Sequence, residues 1–145
     1  MNRRTFLVSG ALAAALATPA AAALSPLPSP SRMLAKSWRH VSTIDAITGG
    51  NVTEQYPHLA SNIAYGSDGT YVAGDGVDTG VWTLSPDGRR LTLASGTFEY
   101  SMGLAVELLD GSRLRVSSRL IGADGVERSI IETFASSGRA IVTLR

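Results

Sequence analysis

Ile63-Ala64-Tyr65-Gly66-Ser67-Asp68-Gly69-Thr70-Tyr71-Val72-Ala73 decides the fold, because it sets two short β-rich runs on either side of Asp-Gly. Both residues of that pair tolerate the positive φ of a tight type I′ turn, so the segment reads as a hairpin. The pair recurs at Asp87-Gly88, Asp110-Gly111 and Asp124-Gly125, each time between alternating runs. The stretch from Asn62 to Thr133 is therefore an antiparallel meander.

Working outward, Lys36 to Ile44 is the first strand, with Trp38, His40, Ser42 and Ile44 on one face. A helical or turn lead-in covers Arg32 to Ala35, and Val52 to Gln55 is a short second strand. Gly74 to Gly80 reads as a flexible, acid-rich connection. Val81 to Leu84 follows, placing Trp82 with Gly80 and Leu84. Leu91 and Leu93 mark the next strand, and Gly96 to Tyr100 and Leu104 to Leu109 two more. Ser112 to Ile121 is the longest alternating run, Val126 to Ala135 follows it, and Ala140 to Leu144 finishes the chain. The pattern gives about eight to ten strands, and no stretch after the first 23 residues has a helical period. An open meander of this length would leave two long unpaired edges. The fold class is thus all-β, an antiparallel up-and-down barrel whose interior holds either packed side chains or one small ligand.

A chain of 145 residues allows one domain. Its 44% apolar and 17% charged content is that of a globular protein. The net charge of +1 offers no basic excess for a nucleic-acid partner. With no cysteine, disulfides, thiolate metal sites and a cysteine nucleophile are excluded.

Asn2-Arg3-Arg4-Thr5-Phe6-Leu7, the apolar run to Leu16 and the small residues Ala20 and Ala22 resemble a twin-arginine export signal, cleaved after Ala22 or Ala23. Residues 1–23 are thus expected to be a leader, 24–31 a proline-rich linker and 32–145 the barrel. The expected location is periplasmic or secreted, with no stable membrane anchor after cleavage.

Trp38 in the first strand, Ile63-Ala64-Tyr65 with Asp68-Gly69-Thr70-Tyr71, and Gly80-Val81-Trp82-Thr83-Leu84 with Asp87-Gly88 and Leu91-Thr92-Leu93 resemble the bacterial lipocalin-like domains. Lys36 stands where the larger lipocalins carry glycine two residues before the tryptophan. The resemblance implies a calycin-like barrel with Trp38 plugging one end. Ser85-Pro86-Asp87-Gly88 is also similar to a β-propeller blade opening, but the chain is too short for four blades of about 40 residues.

Aromatic walls with a few polar tips form small-molecule pockets, which makes Tyr65, Tyr71, Trp82, Phe98 and Tyr100 the ligand-binding candidates. Arg115 joins them if the Arg113, Arg115, Arg119 face points inward, where a guanidinium would hold a carboxylate. Alternation with Leu114, Val116 and Leu120 favours the outward orientation. His40 and His58 are the only histidines, and no metal or cofactor is expected. Asp75 and Asp78 fall in the acidic connection, where a solvated role is favoured over acid-base work. No Gly-x-Ser-x-Gly elbow is present. The function expected is non-catalytic binding of a small apolar or amphipathic molecule. The alternatives are a barrel-fold isomerase, cyclase or hydrolase using the same cavity, and a packed structural or protein-interaction barrel.

Overall fold

The computed structural model describes residues 27–59 and 61–138. The expected leader and the strand at Ala140 to Leu144 lie outside them. Eight strands follow in order: β1 (Ser37–Asp45), β2 (Ile63–Tyr65), β3 (Thr70–Ala73), β4 (Asp78–Leu84), β5 (Arg90–Ser95), β6 (Ser101–Leu109), β7 (Arg113–Ile121) and β8 (Glu127–Ser136). Each pairs antiparallel with the next, and β8 returns to β1, so the sheet closes into an all-β up-and-down barrel. The closing seam runs from Trp38 opposite Ser136 to Asp45 opposite Ile130. It leaves no free edge along β8.

Asp-Gly works here through different turn chemistry from that expected. Gly69, Gly88 and Gly125 have φ of 85°, 72° and 76°, whereas the aspartates before them stay at negative φ. Each is a type I turn ending in a left-handed glycine, closed by Gly69 N–H to Gly66 O (3.1 Å), Gly88 N–H to Ser85 O (2.8 Å) and Gly125 N–H to Gly122 O (2.9 Å). The aspartate carboxylate accepts from the backbone N–H two residues on, at Thr70, Arg89 and Val126. That local acceptor favours the right-handed conformation at Asp, so only Gly needs positive φ. At Asp110 the carboxylate takes the N–H of both Ser112 and Arg113.

Four other expectations are corrected. Val52 to Gln55 is not a strand: Asn51 makes one bridge to Ile44, and Thr53–Gln55 is a 3-10 turn. The segment still caps the upper edge of β1, where Val52 N–H reaches Thr43 O at 2.9 Å, because β2 pairs only with Ser37 and Trp38. Gly96 to Tyr100 is a loop rather than a strand, with Glu99 at φ 54°. A bulge at Val41 shifts the phase of β1, so Thr43, not Ser42, is the fully buried residue beyond His40. Pro30–Leu34 forms a helical turn, α1, which begins two residues before the expected lead-in and inside the expected linker. Proline at the first helical position and Ser29 as its cap explain the early start.

That short helix closes the lower end. Leu34 and Trp38 are fully buried, and the Trp38 indole N–H donates to Leu34 O at 2.9 Å. The Lys36 ammonium lies 5.4 Å from the Trp38 ring centre and donates to Gly111 O at 3.1 Å, pinning the β6–β7 turn beneath the plug. Above them Leu91, Leu114 and Trp82 complete the floor. Gly80 is required there, since a side-chain carbon would meet the Ala94 carbonyl oxygen and come within 2.8 Å of the Tyr71 ring. Replacing Trp38 by Ala is expected to cost about 3–5 kcal/mol, the range for truncating a fully buried large aromatic residue. Urea unfolding measures it, and a loss under about 1 kcal/mol would show that the lower end holds without its plug.

Candidate functional site

Above that floor the barrel is hollow. A cavity of about 860 Å³ opens at the upper end, between the β1–β2 segment, the β3–β4 turn and the β5–β6 and β7–β8 loops. Inward residues of seven strands make its wall, among them Ile63, Leu93, Leu104, Val116 and Phe134. Part of the mouth is spanned by the β1–β2 segment, where buried Tyr56 donates its hydroxyl to Leu120 O at 3.1 Å and Ala123 N–H donates to Gln55 O at 2.8 Å. The rest of the rim is apolar and wet: Val77, Phe98 and Ile121 are 66%, 57% and 70% exposed.

Tyr65, Tyr71, Phe98 and Tyr100 all line this cavity, so four of the six ligand candidates come together. Tyr65 and Tyr71 stand in the wall, and Phe98 and Tyr100 at the rim. Trp82 does not reach it. Its ring packs edge-on against Tyr65 at 5.9 Å and its N–H donates to Gly66 O at 3.0 Å, which places it in the floor. Arg115 also stays out: it is exposed on the outer face of β7, because Leu114 and Val116 on either side are buried inside. His58 lies at the rim. His40 has its ring 5.5 Å from Phe134, and its Nε2 is paired with Thr43 Oγ1 at 2.9 Å.

The polar features of the wall are two carboxyl groups of opposite character. Asp78 is the first residue of β4, not part of a mobile connection, and faces in with Gly80 and Trp82. Its carboxylate accepts from Ser95 Oγ at 2.6 Å, Tyr100 Oη at 2.7 Å and Tyr71 Oη at 2.9 Å. Burial raises its pKa, but the hydroxyls of Ser95, Tyr100 and Tyr71 and the Thr79 N–H outweigh that and hold it below the usual value. Ser95 Oγ in turn accepts from Thr97 N–H and Phe98 N–H, so the loop carrying Phe98 and Tyr100 is keyed to Asp78. The tyrosines respond in the opposite sense. Burial, then the Asp78 acceptor, pushes both Tyr71 and Tyr100 up.

Glu132 has no such set of donors. It stands on β8 between Thr43 of β1 and Val116 of β7, is 4% exposed, and lines the cavity. Among the described residues its carboxyl makes no hydrogen bond, and burial alone pushes its pKa up to about 8. It is close enough to Tyr65 to raise that hydroxyl further, after burial itself. Neither carboxyl stands among the sequence candidates for ligand contact. A signal was present for both: Ile130, Glu132 and Phe134 share one face of β8, as Asp78, Gly80 and Trp82 share one face of β4.

No protein-family model matches the chain, and no curated protein is a significant match to it.

Two outcomes follow from the carboxyl groups. Folded Glu132 keeps its proton to about pH 8, whereas an unfolded glutamate loses it near 4.5. Folding thus takes up a proton between those values, and stability falls as pH rises through that window, by at most about 1.4 kcal/mol per pH unit. Glu132→Gln is expected to remove this slope; parallel stability curves for the two proteins from pH 4.5 to 8 would show that Glu132 is not held protonated. Tyr71→Phe removes a donor to buried Asp78 and is expected to cost about 1.5–3 kcal/mol at pH 7. Because Asp78 is depressed on folding, that cost is present above pH 3.8 and disappears as the pH falls through the folded value. Calorimetric melting of both proteins at pH 7 and in steps downward through the acid range checks both halves.

Proposed function

We propose that this barrel is a non-catalytic, lipocalin-like carrier that holds one small apolar or amphipathic molecule in its cavity. The observation that carries the reading is the hollow itself. Its volume of about 860 Å³ lies in the range of small-molecule sites, roughly 300–1,000 Å³, and its wall is mostly aliphatic and aromatic with a few polar groups. A barrel packed solid would have no such space. The apolar rim at Val77, Phe98 and Ile121 gives a greasy molecule a surface to meet before entry. The resemblance of the Trp38, Gly80-Val81-Trp82 and Asp-Gly elements to lipocalin-like domains supports the same reading. Export is part of the proposal and rests on the Arg3-Arg4-Thr5-Phe6-Leu7 sequence, which would put the carrier in the periplasm or outside the cell.

One observation favours a second reading. A glutamate raised to about 8 beside a large pocket is a candidate general acid or base, as an isomerase or cyclase would use. Against it, among the described residues Glu132 makes no hydrogen bond that would aim it, and catalytic acid-base groups depend on such positioning. The carrier reading is therefore preferred.

The test is native mass spectrometry of the purified protein, with titration of the neutral fluorophore N-phenyl-1-naphthylamine. A co-purifying lipid or metabolite, or saturable one-to-one fluorophore binding, supports the carrier. Met102→Trp, which projects extra volume into the cavity, is expected to weaken fluorophore binding about tenfold or more, whereas Arg115→Ala leaves it unchanged. No bound species and no fluorophore binding would end the proposal.

A further inference from the structure

Resting on the cavity as a binding site, we infer that its preferred ligand is an organic cation, an amphiphile with an amine or ammonium head, and that Glu132 is the group that pairs with it. A fatty acid or other anion is disfavoured by the same wall.

The inference starts from an imbalance of charge-bearing groups. Among the described residues that line the cavity there is no lysine or arginine, and the arginine expected to greet an anion, Arg115, points away. Two carboxyl groups face in instead. Asp78 is internally satisfied by three hydroxyl donors and the Thr79 N–H, so it contributes negative potential but no vacant acceptor. Glu132 is 4% exposed, lines the cavity, and among the described residues makes no hydrogen bond. A buried carboxyl without a partner is costly, and in native proteins such a group calls for an explanation, a bound water, ion or ligand among them.

The groups packed around Glu132 leave that place to a ligand. From β1 come Thr43, directly opposite, and His40; from β7 come Val116, also opposite, and Ser118. Across the cavity stand Tyr65 of β2, Tyr71 of β3, Asp78 of β4, Leu93 of β5 and Tyr100 beside β6. His40 is the one basic group in this set. Its Nε2 is taken by Thr43 and burial lowers its pKa, so it is neutral at pH 7 and supplies no counter-charge. An ammonium head against Glu132 would find a carboxylate in a low-dielectric site, with Tyr65 and Phe134 also in the cavity wall, a setting in which ion pairing is stronger than in water. An alkyl or aromatic tail would lie along Leu93, Leu104 and Met102 toward the rim.

Proton balance follows directly. Glu132 holds a proton in the empty cavity at pH 7 and must give it up to face an ammonium, so each cation bound releases that proton to solvent and the O–H bond of the carboxyl is the only bond broken. An anion would gain no such exchange.

The experiment uses the purified protein and three probes with one tail: decylammonium, decanoate and decan-1-ol, each displacing N-phenyl-1-naphthylamine at pH 7. Expected is an apparent affinity for decylammonium at least about tenfold above that for decanoate. Calorimetry in two buffers of different ionisation enthalpy should find release of roughly one proton per decylammonium bound. Glu132→Gln should bring the two charged probes to similar affinities. If that variant does not fold, proton release by the natural chain carries the test alone. Equal or tighter binding of decanoate, binding of decylammonium without proton release, or a preference that survives in Glu132→Gln would overturn the inference. Decan-1-ol separates the two failures: if it binds and the charge preference is absent, the carrier stands and only the cation assignment falls, whereas if neither it nor the fluorophore binds, both fall.

Discussion

The hydrogen-bonded seam between β1 and β8 is the constraint on which the rest depends. While β1 and β8 are apart, the meander is a curled sheet with two exposed edges and one apolar face in water. Once Trp38 to Asp45 pairs with Ser136 to Ile130, the same face becomes an interior. Every buried group then follows from which side of the pleat a residue occupies. The seam is also where the barrel is most irregular. The bulge at Val41 turns Thr43 inward opposite Glu132, so closure and the polar heart of the cavity come from the same few residues.

Closure alone would allow a filled interior. The two ends are treated differently: α1, Trp38 and Trp82 fill the lower half, and the Lys36 contact to Gly111 ties the plug to the β6–β7 turn. In the upper half β2 is too short to follow β1, so the wall there is completed by an irregular segment that packs on the edge of β1 and leans on Leu120 and Ala123. Irregular backbone packs less efficiently across a barrel mouth than a tryptophan does across its base. The hollow lies on that side.

Within the hollow, the two carboxyl groups illustrate how environment divides like chemistry. Asp78, held by three hydroxyls, keeps its charge and anchors the loop that presents Phe98 and Tyr100. Glu132, with none, keeps its proton. The first stabilises the fold at neutral pH, and the second destabilises it there unless a partner arrives. A group that weakens the empty protein but can be satisfied by a ligand is a common trade at binding sites.

The amino-acid sequence by itself determined the all-β class and the meander, because Asp-Gly pairs and two-residue alternation are local properties that need no distant partner. It also singled out Tyr65 and Tyr71 as aromatic candidates for a pocket, and its alternation with Leu114 and Val116 favoured an outward Arg115 without deciding it. The closed barrel settles both, with the tyrosines lining the cavity and Arg115 exposed on the outer face. Only the tertiary structure decided that Trp82 lies in the floor, that Gly96 to Tyr100 is a loop, and that Asp78 is clasped while Glu132 is alone. Those outcomes depend on barrel shear, on a bulge, and on hydroxyls brought from strands far apart in the chain. A periodic pattern shows which side a residue faces, but how high it stands and what meets it there are fixed when the strands close around it.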